Sequence, residues 1–146
     1  MKADIKVALV GNPNTGKSTL FNVLTGLNQK IGNFPGVTVD KKTGFCILPD
    51  GRTAEIIDLP GTYSLYPKSQ DESIVFSVLA DQANPLRPDL VIVILDASNL
   101  KRNLLLYTQV ADRKSTIKRA VKVYGSRLDA KLLPNWFTKF IRQVYK

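Results

Sequence analysis

Short apolar segments alternate with amphipathic segments through the first three quarters of the chain. The apolar run Ile5–Val10 ends at Gly11 and predicts a buried parallel strand. Apolar residues then recur at helical spacing over Lys17–Thr25, and a polar loop follows over 27–38. The same patterns predict strands over Val39–Leu48, Arg52–Asp58 and Asp89–Asp96, and helices over Gln70–Ala83 and Leu100–Ala111. This order predicts an α/β sandwich with a mostly parallel sheet and ligand sites at the carboxyl ends of its strands.

Charge divides the chain into two unequal parts. The whole sequence has 21 Lys and Arg against 12 Asp and Glu, a net charge of +9, which by itself suggests a polyanionic partner. Residues 1–112, however, hold 11 basic and 11 acidic side chains, whereas 113–146 hold 10 basic side chains and only Asp129. The excess therefore marks a segment boundary, and we do not expect nucleic acid to be the partner.

Composition excludes several classes of site and location. The chain has one cysteine and no histidine, so an internal disulfide, a zinc-type cluster and a Ser-His-Asp apparatus are excluded. No signal peptide is recognisable, and the longest purely apolar run, Leu90–Leu95, is far below the ~20 residues of a spanning helix. We therefore expect a cytoplasmic protein.

A phosphate-binding motif lies between the first strand and the first helix. Gly-Asn-Pro-Asn-Thr-Gly-Lys-Ser at 11–18 matches G-x-x-x-x-G-K-[ST], and its strand–loop–helix setting argues against a chance glycine-rich turn. Backbone N–H groups would surround phosphate oxygens, Lys17 would reach the outer phosphates, and the Ser18 hydroxyl would bind Mg²⁺. The expected nucleotide contacts of this motif are Gly11, Asn12, Asn14, Thr15, Gly16, Lys17, Ser18 and Thr19.

Two further segments carry the marks of nucleotide-dependent switches. In switch II (57–61), Asp58 would hold Mg²⁺ through water and the Gly61 N–H would bond the γ-phosphate. In switch I (32–38), the Thr38 hydroxyl would bind Mg²⁺, and Gly36 and Val37 would line the nucleotide. A simple turn and a strand-entry threonine are the alternatives, and the order of the three motifs favours the switches.

The chain resembles a known family from about residue 4 to residue 112. The segments that carry the resemblance are Gly-Asn-Pro-Asn-Thr-Gly-Lys-Ser-Thr-Leu-Phe-Asn (11–22), Asn-Phe-Pro-Gly-Val-Thr-Val-Asp (33–40), Asp-Leu-Pro-Gly-Thr-Tyr-Ser-Leu (58–65) and Asp-Ala-Ser-Asn-Leu-Lys-Arg-Asn-Leu (96–104). They are similar to the G domain of the bacterial ferrous-iron transport protein B, FeoB, a TRAFAC-class P-loop GTPase. The resemblance implies a three-layer α/β/α sandwich, here incomplete at its C-terminal end.

The resemblance also implies ligands, roles and partners. It implies binding of GTP and GDP with Mg²⁺, and slow hydrolysis coupled to Fe²⁺ uptake. Asn14 would be the ligand of an activating K⁺, and the residues implied in catalysis are Asn14, Lys17, Thr38 and Gly61. Thr62 replaces the glutamine that orients water in Ras-like proteins, so backbone groups and the cation would position the water. The full-length family member lies in the bacterial inner membrane, with this domain on the cytoplasmic side next to its own helical and membrane domains.

The family pattern breaks where guanine recognition is expected. The family places Asn-Met-x-Asp where this chain has Lys122–Gly125, no N-x-x-D occurs in 113–146, and Asp129 is a poor substitute. Three explanations remain open: a truncated or frame-shifted gene, a natural basic tail that binds a membrane surface or nucleic acid, or substitute packing for the sheet edge. Apolar residues at helical spacing between Leu132 and Val144 predict a helix in this tail. We favour the first explanation.

We therefore predict a FeoB-type G domain over 1–112 followed by a basic, helical tail over 113–146. The predicted function is GTP binding with slow hydrolysis, in a fragment without the membrane pore. The alternatives are a nucleotide-binding regulatory module with little turnover, and a nucleic-acid-associated GTPase that uses the tail.

Overall fold

The computed structural model describes residues 2–26, 28–113 and 120–124, the last of these by backbone alone. The strands are β1 (Ile5–Gly11), β2 (Gln29–Asn33), β3 (Asp40–Ile47), β4 (Thr53–Asp58), β5 (Leu90–Leu95) and β6 (Ala120–Tyr124). The helices are α1 (Lys17–Thr25), α2 (Gln70–Ala80) and α3 (Leu100–Asp112), and a short 3-10 helix, Ala97–Asn99, precedes α3.

The six described strands form one mixed sheet in the order β2-β3-β4-β1-β5-β6. The four strands β4, β1, β5 and β6 are parallel, whereas β2 and β3 pair antiparallel at one side. In this register Leu9 pairs with Asp58, and Gly11 pairs with Ile94. The ends of β1, β4 and β5 therefore meet at one edge, where an open α/β sheet binds its ligands.

Alternate side chains of the central strands pack on opposite faces of the sheet. On one face Val7 and Leu9 pack in a cluster with Leu20 and Phe21 of α1. On the other face Ala8 and Val10 pack in the cluster formed with α2 and α3. Because β1 and β5 are covered on both faces, they read as continuous apolar runs rather than as alternating ones. The result is the three-layer α/β/α sandwich that the resemblance implied.

Helix α2 begins with a reciprocal cap of the capping-box kind. The Ser69 hydroxyl accepts a hydrogen bond from the Glu72 N–H at 3.2 Å, and the Glu72 carboxylate accepts one from the Lys68 N–H at 2.7 Å. The helix ends at Ala80, three residues before the predicted end, because the Asp81 carboxylate accepts a hydrogen bond from the Ala83 N–H and turns the chain.

One strand is absent from the sequence-based prediction. The prediction of a loop over 27–38 is wrong at Gln29–Asn33, which forms β2 and pairs with β3. All five residues of β2 are exposed, so this edge strand has no apolar face for a pattern to reveal.

Strand β6 lies within the segment predicted as a tail. Residues 120–124 pair in parallel with β5. The helix predicted between 132 and 144, and Asp129, lie outside the described residues. Within the part of the chain that the structure describes, no helix has the length and hydropathy that crossing a bilayer requires.

Candidate functional site

The motif at 11–18 forms a tight loop between β1 and α1. Asn14 and Gly16 adopt left-handed backbone conformations, with φ of 63° and 86°, and the Thr15 hydroxyl donates to the Asn12 carbonyl at 2.9 Å. Gly16 is the N-cap residue of α1. Because glycine has no side chain, no side chain of this residue caps the first N–H groups of the helix. A helix that begins in this way offers its N–H groups and the positive end of its dipole to an anion.

Three predicted residues meet at the end of β4. The Lys17 ammonium lies 2.6 Å from Asp58 Oδ1, and the Ser18 hydroxyl donates to Asp58 Oδ2 at 3.3 Å. The Lys17 and Asp58 side chains are only 10% and 6% exposed, so the pair is shielded from water and salt. The Lys17 ammonium, which is suited to phosphate, therefore lies beside two oxygen groups suited to Mg²⁺, the Ser18 hydroxyl and the Asp58 carboxylate.

An open cavity of about 630 Å³ adjoins this cluster. It is lined by Asn12, Pro13, Asn14, Gly16, Lys17, Ser18, Thr19, Gly61 and Asp71. Most of these belong to the phosphate-binding loop and the start of α1, so the residues predicted from the motif surround one space. Gly11 and Thr15, which were also predicted to contact the nucleotide, do not line this cavity; they pack against each other, since a Cβ at Gly11 would lie 2.9 Å from the Thr15 hydroxyl.

Switch I borders a second cavity, of about 500 Å³, which shares Lys17 and Asp71 with the first and contains Thr38 and Asp58. Thr38 is exposed, and Gly36 turns the chain before it with φ of 76°. Buried Phe34 anchors the segment, since its carbonyl accepts from the Val37 N–H at 3.3 Å. The structure thus brings Thr38 to the same cavity as Asp58, while Gly36 and Val37 line neither of these two cavities.

Switch II is in direct contact with the phosphate-binding loop. A Cβ at Gly61 would lie 3.0 Å from the backbone of Pro13, so glycine is the residue that allows this approach. The Thr62 N–H donates to the Gly11 carbonyl at 3.0 Å. Thr62 is 1% exposed, and its hydroxyl donates to the Ser64 carbonyl at 2.7 Å. That hydroxyl therefore stabilises its own loop.

Loop 61–66 is held against α3. The Gln109 side-chain carbonyl accepts hydrogen bonds from the Leu65 N–H at 2.7 Å and from the Ser64 hydroxyl at 3.0 Å. The Arg102 guanidinium lies 4.0 Å from the centre of the Tyr63 ring. Sequence reasoning missed Gln109 and Arg102, because neither belongs to a motif of nucleotide binding.

The Asp-Ala-Ser-Asn-Leu segment at 96–100 connects β5 to α3 and is held by side-chain hydrogen bonds. The Asp96 carboxylate accepts from the hydroxyl and N–H of Ser98, and these bonds hold the pKa of Asp96 below its ordinary value. Buried Asn103 accepts from the Asp96 N–H and donates to the Asn99 carbonyl. These contacts fasten α3 to the end of β5.

Asp71 is a further residue that the sequence did not single out. It lies in the first turn of α2 and, like Lys17, lines both cavities. An acidic residue in the first turn of a helix is common for dipole reasons alone, so the sequence carried no separate signal. Its carboxylate would repel phosphate unless cations lie between them.

Comparison with known proteins identifies close relatives. Residues 5–128 match the family model described as "Ferrous iron transport protein B". The chain is 51% identical over 106 residues to the Fe(2+) transporter FeoB of Leptospira biflexa, covering 73% of this chain and 15% of that protein. It is 49% identical over 107 residues to the Fe(2+) transporter FeoB of Methanocaldococcus jannaschii, again covering 73% and 15%.

Solved structures agree with the sequence comparison. The G domain of the T. maritima FeoB iron transporter superposes with a TM-score of 0.73 at 38% identity, covering 94% of this chain and 81% of that one. A GDP-bound point mutant of S. thermophilus NFeoB has a TM-score of 0.65 at 45% identity, covering 74% and 40%. The chain spans about 15% of the length of the transporters it matches.

Proposed function

The chain belongs to the family of ferrous iron transport protein B, and from this premise we propose that it binds guanine nucleotides and hydrolyses GTP slowly. The observation that carries the proposal is the cluster of Lys17, Ser18 and Asp58 beside the cavity at the start of α1. The cluster brings together the Lys17 ammonium, which can bind phosphate, the N–H groups at the start of α1, and oxygen groups that can bind a metal ion. The GDP-bound structure of the S. thermophilus relative supports the same ligand.

The loop at 11–18 is proposed to bind the phosphates. Its N–H groups and the N-terminus of α1 surround the phosphate oxygens, and Lys17 leaves Asp58 to contact the outer phosphates. Gly16 and Thr19 complete this wall of the site, and the hydrogen bond from the Thr15 hydroxyl to the Asn12 backbone carbonyl holds the loop in shape.

The donor set fits Mg²⁺. The Ser18 hydroxyl and the Asp58 carboxylate are hard oxygen groups that already lie 3.3 Å apart, and Thr38 shares a cavity with Asp58. We propose that Ser18 and Thr38 bind the ion directly and that Asp58 holds it through water. When bound there, Mg²⁺ would neutralise charge between the phosphates.

Positioning of the attacking water is assigned to backbone groups and to K⁺ at Asn14. Asn14 lies on the cavity wall in a left-handed conformation. The Thr62 hydroxyl is bonded to the Ser64 carbonyl and cannot take the role of a water-orienting glutamine. The N–H of Gly61 is assigned to the γ-phosphate. Hydrolysis is therefore expected to be slow and K⁺-dependent.

The whole-protein role is proposed from the family. We propose that this domain serves a ferrous-iron transporter of the bacterial inner membrane, from its cytoplasmic side, and acts on that transporter's helical and membrane domains. The division at residue 112 remains a prediction, and contact of the tail with a membrane surface remains an open alternative. The sequence does not decide between GTP and ATP.

Nucleotide titration tests the central proposal. Fluorescent GDP should bind the wild-type chain and should fail to bind the Lys17→Ala variant, while Lys101→Ala, an exposed lysine on α3, should bind normally. Equal affinity in all three proteins would contradict the proposal. A parallel titration with ATP and GTP measures base preference in the absence of an N-K-x-D motif.

Phosphate release tests turnover. Replacement of K⁺ by Na⁺ should slow the release from GTP in the wild type and leave the Asn14→Ala variant unaffected. Tight binding with no release in K⁺ would instead favour a regulatory module, which the occupied Thr62 hydroxyl makes the second candidate. A nucleic-acid-associated GTPase would show binding to RNA or DNA that falls steeply with salt.

A further inference from the structure

Asn12 is a buried residue whose side chain has no hydrogen-bond partner among the described residues. It is 3% exposed, and neither its Oδ1 nor its Nδ2 is paired with any described group. An amide buried without a partner is destabilising, and for this reason most buried polar groups are paired. Asn103 is equally buried and pairs at both ends of its amide, so burial alone does not leave an asparagine without partners here.

The backbone of Asn12 is held within the phosphate-binding loop. The backbone carbonyl of Asn12 accepts a hydrogen bond from the Thr15 hydroxyl at 2.9 Å. Pro13, the next residue, has no N–H to offer. The residues on either side of Asn12 both contact switch II, since Gly11 accepts from the Thr62 N–H and Pro13 packs against Gly61. Asn12 therefore lies directly at the junction with the segment that is expected to move.

We propose that Asn12 is a positioning residue for switch II in the triphosphate state. When the Gly61 N–H moves to the terminal phosphate, the backbone around Gly61 and Thr62 shifts relative to Gly11 and Pro13, and the Asn12 amide pairs with that backbone. This inference rests on the proposed function. It differs from a phosphate contact, because it predicts a larger loss of affinity for a triphosphate than for GDP.

The test compares diphosphate and triphosphate binding in Asn12→Ala. The variant is expected to lose affinity for the non-hydrolysable analogue GMPPNP about fivefold more than for GDP, in line with one hydrogen bond that forms only in the triphosphate state. Its unfolding midpoint without nucleotide should stay unchanged or rise, because the alanine removes an unpaired amide. Asn103→Ala is the matched control, and its midpoint should fall by several degrees.

Each outcome decides the inference. Equal weakening of GDP and GMPPNP would show an ordinary phosphate contact, and unchanged binding of both would show no role, so either overturns it. A midpoint that falls as far as in Asn103→Ala would show a structural role and also overturns it. Asn12→Ser, which keeps a hydroxyl, is the second variant should alanine fail to fold, and it should show the same selective loss. A wild type that binds neither nucleotide would refute the proposed function itself, and the inference with it.

Discussion

Lys17 and Asp58 form a buried ion pair 2.6 Å long, although 41 residues separate them in the sequence. Each side chain is assigned to a different ligand, Lys17 to the phosphates and Asp58 to Mg²⁺. In this pair the two charges neutralise one another. Under the proposed function, binding of nucleotide would break the pair, and Mg²⁺ would become the partner of the carboxylate.

The first prediction follows from this pair. Asp58→Asn removes the negative charge that holds Lys17, so GDP affinity measured in EDTA should rise about tenfold, while the gain from added Mg²⁺ should disappear. Titration of fluorescent GDP with and without Mg²⁺ measures both effects. Asp50→Asn is the control, since Asp50 forms an equally short but exposed pair with Arg52. Weaker GDP binding by Asp58→Asn in EDTA would contradict the prediction.

The second prediction concerns the contact between β3 and α1. A Cβ at Gly44 would lie 2.5 Å from Thr25 Cγ2 and 2.8 Å from the Asn28 carbonyl, so Gly44→Ala should lower the free energy of unfolding by about 1–3 kcal/mol. Gly32 on β2 has nothing within 4 Å of the same position, and Gly32→Ala should be neutral within about 0.5 kcal/mol. Urea denaturation compares the two, and similar losses in both variants would show that steric contact is not the cause.

The third prediction concerns the start of α2. Ser69→Ala loses the cap on the Glu72 N–H and should cost about 1 kcal/mol of unfolding free energy. Ser73→Ala is the control one turn later, where the hydroxyl donates to the Ser69 carbonyl, and it should change stability by less than about 0.5 kcal/mol. Thermal unfolding of the two variants gives the comparison, and the prediction is wrong if Ser73→Ala proves the more costly change.

The fourth prediction concerns loop 61–66. Gln109→Ala removes the acceptor that holds the Leu65 N–H and the Ser64 hydroxyl, so amide exchange in this loop should accelerate while α2 and β5 stay protected. Hydrogen-exchange mass spectrometry resolves the loop from the core. Thr108→Ala, an exposed neighbour on α3, should leave the loop unchanged. Uniform acceleration across the chain would indicate global destabilisation instead.

The fifth prediction concerns the single cysteine. Burial raises the pKa of the Cys46 thiol from its ordinary 9.0 to about 11, so the thiol stays protonated near neutral pH. Alkylation by iodoacetamide should therefore be about a hundredfold slower in the folded protein than in the unfolded chain at the same pH. Equal rates would show that the thiol is not desolvated.

The same shift has a consequence for alkaline stability. Because burial disfavours the thiolate, the folded pKa is the higher one, so the contribution of Cys46 to stability is present below pH 9.0 and is lost as pH rises toward about 11. Cys46→Ser should flatten this part of the stability curve.

Local patterns predicted most of the fold. The periodic segments predicted α1 with its bounds, and they predicted β1, β3, β4, β5 and α3 within one or two residues. Strand β2 could not be predicted, because a fully exposed edge strand buries no apolar face. Its pairing depends on the backbone of β3, which lies outside the local sequence window.

Local sequence predicts the phosphate-binding loop and the segments named switch I and switch II. Glycine positions, a lysine and a hydroxyl at fixed spacing are typical of a loop that folds locally between a strand and a helix. How these parts meet depends on contacts between distant segments of the chain. The parallel pairing of β1 with β4 places Leu9 opposite Asp58 and so brings the carboxylate to Lys17. The Asn12 amide is buried without a partner among the described residues, and packing of α3 gave loop 61–66 its anchor in Gln109. These relationships depend on strand register and on contacts between distant segments, which no local pattern encodes.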